Sequence, residues 1–289
     1  MYHLIVNIKS GKGRGKRALK KISNYCYKNN IAYTSHITAA RGHAIDIAKM
    51  LSSTGETTTI VAIGGDGTFS EVLNGIADFD KTHIGFVPSG RGNDYARAAN
   101  LSLNPVAAFT AILNGKVEET DYIEVGDKRC LNVVGSGLDV EVLERVMGKS
   151  GRLTYIKSLL HCVLNFKPYS FTVSIDGGEK VFHECLMVGV CNGTSIGAGI
   201  KLSPESDIND GKINVMVIEP PKDEKVLKAL FTFKRGKHMK KPYTKHFVCN
   251  SVEITPAGDR DYSIQIDGEI FSDVEFNAKV VKGGLKTFR

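Results

Sequence analysis

Residues 57–76 read TTTIVAIGGDGTFSEVLNGI, a β-branched apolar run followed by a glycine-rich turn and a segment with apolar residues at helical spacing. This pattern predicts a buried strand, a tight loop and an amphipathic helix. The same order recurs where YHLIVNI (2–8) precedes SGKGRGK (10–16) and where HIGFVP (83–88) precedes SGRGND (89–94). The repetition predicts an α/β domain with a parallel sheet and helices on both faces.

The pattern changes after about residue 120, where short alternating strands dominate, as in YSFTVSIDG (169–177) and EKVFHECLMVGVC (179–191). Gly and Asp turns separate these strands, which is typical of an antiparallel β-sandwich. We therefore predict an N-terminal α/β domain over residues 1–122 and a C-terminal antiparallel β-sandwich over residues 123–274. We expect the two domains to pack closely and to leave a cleft between them.

Two helices are expected to interrupt the sandwich strands. The first covers residues 140–160 with a break near 148–151, and the second covers residues 223–233. Both have apolar residues at helical spacing.

The composition is that of an ordinary globular protein. The chain has 289 residues, of which 42% are hydrophobic and 24% charged, which argues against disorder and fibrous repeats. No apolar run reaches the roughly 18 residues that a membrane-spanning helix needs. The first residues place charges after an apolar run, the reverse of a signal peptide. We expect a soluble, cytoplasmic protein.

Six cysteines occur, and they form no CxxC pair and have no histidine at metal-ligand spacing. Several lie in apolar stretches, where a reduced thiol behaves as a small buried hydrophobe. Catalytic or metal-binding thiols are the alternative.

The formal net charge is +7, and part of the excess is local. Residues 234–245 (KRGKHMKKPYTK) hold six Lys or Arg and no acid. Such a segment can meet anionic lipid, nucleotide phosphates or nucleic acid, and the alternative is a solvated loop. Because aromatic residues are sparse here and the chain has no Trp, we do not expect a nucleic-acid partner.

The first glycine loop, residues 10–16, fits neither common nucleotide template. A Walker A loop would need Gly at position 10 and Ser or Thr at position 17, where this chain has Ser10 and Arg17. GxGxxG fails because position 16 is Lys. The loop is either a phosphate site or a flexible turn.

The second glycine loop, residues 64–68, is a stronger candidate for phosphate binding. Glycine lets the backbone approach a phosphate, and a helix start supplies unpaired N–H groups and a positive dipole. Asp66 would repel phosphate and suits Mg²⁺ or metal-bound water. The alternative is that Asp66 and Thr68 form an Asx turn or cap the helix.

The third loop, residues 88–94, should lie at the same edge of the sheet, since both loops follow the carboxyl ends of strands. Asn93 and Asp94 are candidates for the site, or else they only cap the next helix. Near the end of the chain stands Asp267-Gly-Glu269. If this triplet is extended, both carboxylates face one side, but DG is a common hairpin turn. From spacing alone the turn is favoured.

Six motifs in this order resemble the bacterial diacylglycerol kinase family, which includes related soluble lipid kinases. They are GGDGTFSEVLNGI (64–76), PSGRGNDYARAANL (88–101), NVVGSGLDVEV (132–142), GRLTYIKSLL (151–160), DINDGKINVMVI (207–218) and QIDGE (265–269). The GGDGT motif alone does not distinguish this family, because NAD kinases and phosphofructokinases have similar loops. The later motifs make the resemblance specific, and it extends over nearly the whole chain.

The resemblance implies ATP and Mg²⁺ as cofactors, an active site in the interdomain cleft, and a return of residues 275–289 to the first domain. Nucleotide contacts would come from Thr38, Gly64, Gly65, Asp66, Gly67, Thr68, Gly90, Arg91 and Asn93. Asp66, Asp94 and Asp121 would hold the catalytic Mg²⁺, mostly through water. Asp210 would hold a second Mg²⁺ with main-chain oxygens near Asp207 and Lys212. Glu269 would be the catalytic proton acceptor, with Asp267 beside it.

One position departs from the family pattern. The third loop of the family usually reads PxGTxND, and Arg91 replaces that Thr. A hydroxyl contact to nucleotide is lost, and the cation either binds phosphate instead or fills the pocket.

The sequence thus predicts an ATP-dependent lipid kinase acting on the hydroxyl of a diacylglycerol-like lipid. The alternatives are a non-enzymatic lipid- or nucleotide-binding regulator and a kinase of a soluble substrate such as NAD. We find no paired Asn-Glu motif after the third loop of the kind that NAD kinases use. A membrane-resident substrate implies peripheral contact with anionic lipid at the inner membrane surface, through residues 234–245. A homodimer through a sheet edge is also expected.

Overall fold

The computed structural model describes residues 1–146, 152–164, 166–197, 199–221, 226–258 and 262–289. The chain divides into two compact units. Unit 1 comprises Met1–Tyr122, Ile208–Asp210 and Val281–Arg289, and unit 2 comprises Ile123–Asp207 and Gly211–Val280. No helix in the described ranges is both long and apolar enough to cross a membrane.

Unit 1 is a parallel sheet with helices. Its strands are β1 (Tyr2–Val6), β2 (Tyr33–Ile37), β3 (Thr58–Gly64) and β4 (Thr82–Pro88), and its helices are α1 (Ser10–Lys28), α2 (His43–Ser52), α3 (Asp66–Gly75), α4 (Asp94–Ala98) and α5 (Pro105–Asn114). The strands lie in the order β2-β1-β3-β4. The last part of β16 (Phe276–Phe288) adds a further parallel strand beside β4, where Lys286 pairs with His83.

Alternating side chains of the central strands serve two cores in unit 1. Leu4 and Val6 of β1 pack with Ala18 and Ile22 of α1 on one face. Ile5 points to the other face and is equally buried, and there α2 and α3 contact each other and β3. Because successive side chains of a strand point to opposite faces of the sheet, β1 contributes apolar side chains to both cores.

Unit 2 is built of two antiparallel sheets. Its strands are β5 (Val117–Val125, which begins in unit 1), β6 (Lys128–Cys130), β7 (Val133–Gly137), β8 (Tyr169–Ile175), β9 (Val181–Cys185), β10 (Met187–Cys191), β11 (Ile213–Ile218), β12 (Thr244–Cys249), β13 (Ser251–Pro256), β14 (Ile264–Ile266) and β15 (Glu269–Phe271). One sheet runs from the first part of β16 through β13 and β8 to β9. The other has the order β12-β11-β10-β7-β14-β15.

The helices of unit 2 are α6 (Leu138–Val146), α7 (Arg152–Leu164) and α8 (Val226–Lys234), with a 3₁₀ turn at Lys237–Lys240. One apolar core joins the facing sides of the two sheets, where Phe171 and Val173 of β8 pack with Val188 and Val190 of β10. The predicted fold class, an α/β domain followed by an antiparallel β-sandwich, is therefore confirmed. All six cysteines are unpaired and buried, as the sequence predicts.

Two predicted elements differ from those observed, and a third lies partly outside the described residues. EKVFHECLMVGVC is two strands in different sheets, because the chain leaves one sheet after Cys185 and enters the other at Met187. The helix expected after Asn93 ends at Ala98, and Asn100 adopts a left-handed φ of 53°. The helix predicted over 223–233 is seen from Val226, and residues 222–225 lie outside the described residues.

Candidate active site

The first glycine loop forms a left-handed bend at the start of α1. Gly11, Lys12 and Gly13 have φ values of 54°, 59° and 82°. A Cβ on Gly11 would lie 2.2 Å from the carbonyl oxygen of Ser89, so only glycine fits there. The hydroxyls of Ser10 and Ser89 are 2.7 Å apart. The bend therefore packs against the third glycine loop.

The second glycine loop joins β3 to α3 without a side-chain cap. Gly65 is the N-cap residue, and α3 begins at Asp66. The hydroxyl of Thr68 is buried and accepts a hydrogen bond from the Asn7 amide at 3.2 Å. The capping alternative for Asp66 and Thr68 is therefore wrong, and the first turn of α3 keeps backbone N–H groups at its start.

The second and third glycine loops touch through their backbones. A Cβ on Gly90 would lie 2.4 Å from the Cα of Gly65, and the Ser89 N–H donates to the Gly64 carbonyl at 2.6 Å. Arg14 also donates a hydrogen bond to the Gly90 carbonyl. The three loops thus meet at the carboxyl ends of β1, β3 and β4, the edge that the strand–loop–helix order predicts.

Asn93 is the N-cap residue of α4 but makes no side-chain cap bond. Its amide nitrogen donates to the Gly90 carbonyl at 3.3 Å. Its side-chain oxygen is buried and has no hydrogen-bond partner among the described residues. Asn93 thus braces the third loop.

A cavity of about 550 Å³ opens where the three loops meet. Its lining residues are Asn7, Lys9, Ser10, Gly11, Lys12, Thr38, Ala39, Ala40, Arg41, Gly65, Gly67, Thr68, Glu71, Gly90 and Arg91. The volume lies within the range of small-ligand sites. The lining carries four cations and one carboxylate, which favours an anionic ligand.

The single carboxylate in the cavity already has partners. Glu71 accepts the N–H groups of Gly42 at 3.0 Å and Ala44 at 3.2 Å, at the start of α2. Sequence reasoning missed this residue, although a helix with Gly42 at its N-cap needs an acceptor from elsewhere. Thr38 lies opposite, where its N–H and its hydroxyl both donate to the Val6 carbonyl, at 3.0 and 3.4 Å.

The predicted carboxylates of unit 1 are held by backbone and side-chain donors. Asp66 accepts the N–H of Tyr95 at 3.1 Å, which places it one residue from Asp94. Asp94 is buried and accepts from Arg97 at 3.1 Å. Asp121 is buried and accepts the N–H of Gly283 at 2.7 Å.

Within the described residues, no three His, Cys, Asp or Glu side chains converge as a direct metal cage. Mg²⁺ commonly keeps several waters and uses one or two carboxylates together with substrate phosphates. Asp66, which accepts the Tyr95 N–H, and Asp94, which precedes Tyr95, have the carboxylates that such a water-mediated site uses.

The residues predicted for a second Mg²⁺ fall in different units. Asp210 belongs to unit 1, whereas Asp207 and Lys212 belong to unit 2. The side chains of Asp207 and Asp210 are exposed, and the Lys212 ammonium donates to Asn250 at 2.9 Å. The second metal site stays a prediction.

The Asp267-Gly-Glu269 triplet is a hairpin turn. Asp267 and Gly268 have φ values of 49° and 88°, and Ile266 pairs with Glu269 across the turn. The turn favoured by spacing is therefore confirmed, and the extended alternative with both carboxylates on one face is wrong. Both central residues have the positive φ of a type I′ hairpin.

The Asp267 carboxylate anchors a neighbouring backbone segment. It accepts the N–H groups of Leu131 at 2.7 Å, Asn132 at 2.9 Å and Val133 at 3.4 Å, and the Cys130 thiol lies 3.2 Å away. Burial raises the pKa of Asp267, and these backbone donors offset part of the rise. Asp267 therefore holds the turn that carries Glu269.

Comparison with known proteins identifies both halves of the chain. Residues 1–125 match the diacylglycerol kinase catalytic domain, and residues 132–289 match the YegS C-terminal NAD kinase beta sandwich-like domain. A curated relative, the diacylglycerol kinase of Bacillus subtilis, is 26% identical over 273 residues, which is 92% of this chain and 88% of that protein.

Solved structures show the same fold. A crystal structure of a diacylglycerol kinase from Bacillus anthracis aligns with a TM-score of 0.75 at 19% identity, over 99% of this chain and 96% of that one. An NAD kinase from Archaeoglobus fulgidus, in complex with ATP, aligns with a TM-score of 0.54 at 13% identity, over 100% and 94%. With both domain models matched in order, the chain belongs to the bacterial diacylglycerol kinase family of lipid kinases and contains its kinase catalytic domain.

Proposed function

We propose that this chain transfers the γ-phosphate of ATP to the hydroxyl of a diacylglycerol-like lipid and gives a phosphatidate-like product. Residues 1–122, completed by 275–289, are the ATP-binding domain, and residues 123–274 are the lipid-binding domain. The observation that carries the proposal is the cation-lined cavity of about 550 Å³ at the meeting point of the three glycine loops.

The triphosphate lies against the start of α3 and the loop backbones. The backbone N–H groups of the first turn of α3 and the helix dipole favour negative charge there. Among residues 64–68, Gly65, Gly67 and Thr68 line this cavity, as do Thr38 and Gly90. Arg91 is exposed at the rim of the cavity, so its cation is placed to pair with phosphate in place of the family's threonine hydroxyl.

Asp66, Asp94 and Asp121 are the residues that would hold a catalytic Mg²⁺, and Asp210, with main-chain oxygens near Asp207 and Lys212, would hold a second. When bound, such an ion neutralises phosphate charge during transfer. The role of the protein is to hold the carboxylates in place. Backbone N–H groups that donate hydrogen bonds to Asp66 and Asp121 do so.

Glu269 is the proposed proton acceptor for the lipid hydroxyl as its oxygen attacks the γ-phosphorus. The proton passes to a carboxylate oxygen of Glu269, and ADP leaves. Asp267 positions Glu269, because its three backbone bonds fix the turn between them.

The test is ATP consumption with Mg²⁺ in mixed micelles that contain dioleoylglycerol, phosphatidylglycerol, undecaprenol or sphingosine. NAD without detergent is a further substrate arm. We expect turnover with dioleoylglycerol that Asp66→Ala and Glu269→Ala both abolish. Turnover with another lipid alone would correct the substrate, NADP formation would support the soluble-substrate alternative, and ATP binding without turnover would support the regulator.

A basic surface of unit 2 supports contact with an anionic membrane. It consists of the exposed cations Lys234, Arg235, Lys237, Lys240 and Lys245. Phe231, one turn of α8 before them, is 63% exposed. Each cation near an anionic bilayer contributes about 1 kcal/mol, and an exposed aromatic ring adds insertion into the interface.

The membrane proposal is tested by sedimentation with phosphatidylglycerol vesicles. Replacing Lys234, Lys237 and Lys240 by Gln should weaken binding by about 3 kcal/mol at low salt. A matched control replaces three exposed lysines of α1, Lys20, Lys21 and Lys28, and should leave binding nearly unchanged. Equal losses in the two variants would show that only net charge matters.

We also propose that two copies pair along an exposed sheet edge. Strand β9 lies at the end of its sheet, and Val181 and Phe182 on it are 50% and 55% exposed. Phe182→Lys should shift a dimer toward monomer in analytical ultracentrifugation.

A further inference from the structure

A cluster of polar side chains, most of them buried, surrounds the guanidinium of Arg289 in unit 1. One terminal nitrogen donates to the Thr120 hydroxyl at 3.1 Å and to the Asn209 side-chain oxygen at 2.9 Å. Thr120 and Thr287 are buried, and their hydroxyls are 2.7 Å apart. The buried Tyr95 hydroxyl lies beside the same groups. We call these five residues the Arg289 cluster.

Three members of the Arg289 cluster come from segments far apart in sequence, and each of these segments carries a proposed metal carboxylate. Tyr95 follows Asp94, Thr120 precedes Asp121, and Asn209 precedes Asp210. The backbone N–H of Tyr95 also donates to Asp66. The Arg289 side chain therefore hydrogen-bonds the segments that bear Asp121 and Asp210, and it lies beside Tyr95, whose segment bears Asp94 and contacts Asp66.

The contacts of Arg289 differ from those of a surface arginine that makes only an ion pair. Its side chain is only 19% exposed, and the half-exposed carboxylate of Glu118 lies 3.9 Å away. Its Nε is buried and has no hydrogen-bond partner within the described part of the chain. A partly buried cation whose hydrogen bonds go to neutral acceptors loses part of its hydration, and a purely structural link could use uncharged groups at lower cost.

We propose that Arg289 is a positioning residue that sets the spacing of the carboxylates for metal-bound ATP. The proposal rests on the proposed function for its metal and substrate. Arg289 acts through Tyr95, Thr120 and Asn209 and does not itself touch the reacting atoms. Its loss therefore lowers kcat and weakens the response to Mg²⁺, and the KM for lipid stays unchanged.

The test compares Arg289→Ala and Arg289→Lys with the matched control Glu118→Gln, which removes only the distant carboxylate. Two readouts are used: the Mg²⁺ dependence of turnover, and the rise of Tm with Mg²⁺ in the presence of a non-hydrolysable ATP analogue and the absence of lipid. We expect Arg289→Ala to lower kcat by about 10- to 100-fold, as for a misplacement near 1 Å, and to raise the half-saturating Mg²⁺ in both readouts. Arg289→Lys, or millimolar guanidinium added to Arg289→Ala, should restore part of the loss, and Glu118→Gln should match wild type.

An Arg289→Ala protein with a lower Tm but an unchanged Mg²⁺ half-saturation would overturn the proposal, since Arg289 would then be only structural. If that variant does not fold, Asn209→Leu removes one acceptor and should give the same Mg²⁺ shift, and no shift would refute the idea. Failure of wild type to phosphorylate any lipid would refute the proposed function, while the thermal Mg²⁺ titration would still decide the role of Arg289. A wild-type Tm that does not respond to Mg²⁺ would refute the positioning role.

Discussion

The contact between the second and third glycine loops makes a graded prediction for three glycines. An ordinary carbon–carbon contact is about 3.5–4.0 Å. In Gly90→Ala the new Cβ would lie 2.4 Å from the Cα of Gly65, about 1 Å too close, and 2.9 Å from the Asn93 side-chain oxygen. In Gly65→Ala it would lie 3.0 Å from the Cα of Gly90. Gly67 has no atom within 4 Å of such a Cβ and has no positive φ.

Backbone atoms cannot move aside as a flexible side chain can. We therefore expect Gly90→Ala to lower the free energy of unfolding by about 3 kcal/mol and Gly65→Ala to lower it by about 1 kcal/mol, the two ends of the usual range for overpacked sites. Gly67→Ala should raise the free energy of unfolding by up to about 1 kcal/mol, because alanine has a higher helix propensity than glycine. Since both loops line the cavity, a shift near 1 Å in Gly90→Ala should also reduce turnover about 100-fold.

The assay is thermal unfolding of the three variants, with turnover in dioleoylglycerol micelles measured alongside. The expected order of Tm is Gly67→Ala, Gly65→Ala, Gly90→Ala, and the last should fall by about 6 °C or more. If Gly90→Ala unfolds at the wild-type temperature and turns over normally, the loops do not touch as described and the reasoning fails.

Three further predictions concern unit 2. Glu269→Gln should abolish phosphorylation of lipid and leave the affinity for an ATP analogue unchanged by calorimetry, and lost nucleotide binding would contradict the proton-acceptor role. Asp267→Ala should destabilise the protein by about 3 kcal/mol in urea, because three backbone donors lose their acceptor, and Asp267→Asn, which keeps one oxygen, should lose less. Burial raises the pKa of Asp139 to about 7 in the folded protein. Because the same carboxyl in the unfolded chain already ionises near pH 4, the free energy of unfolding falls as pH rises from about 4 to 7. Asp139→Asn should remove that fall in urea titrations at pH 5 and pH 8, and an unchanged pH slope would show that Asp139 is already ionised in the fold.

Much of the fold could be predicted because local patterns agree with it. Apolar runs such as TTIVAIG are buried on both faces, and two of the loop glycines, Gly11 and Gly90, occupy positions where a side chain would clash. The division of EKVFHECLMVGVC between two sheets was missed, because a single Leu186 carries the turn without any Gly or Pro. Long strand β16 was only partly predicted, since KGG at 282–284 resembles a turn in sequence and yet continues a strand.

The candidate site could be predicted as far as its loops but not its supports. The glycine and aspartate residues indicate the edge where the three loops meet and the turn at Asp267. The roles of Arg14, Glu71 and Arg289 depend on partners between about 30 and 170 positions away, and no local spacing encodes them. Such contacts exist only once the sheet has brought distant loops together.

Strand β16 has a consequence for how the chain is synthesised. It serves unit 2 through residues such as Phe276 and Ala278, and unit 1 through Lys286 and Thr287. During translation β4 therefore leaves the ribosome some 200 residues before its partner, and its edge stays open meanwhile. The first unit to be synthesised is thus the last to complete its sheet, against the usual order in which N-terminal domains finish first. A slow or interrupted ribosome would prolong the time in which this edge can aggregate.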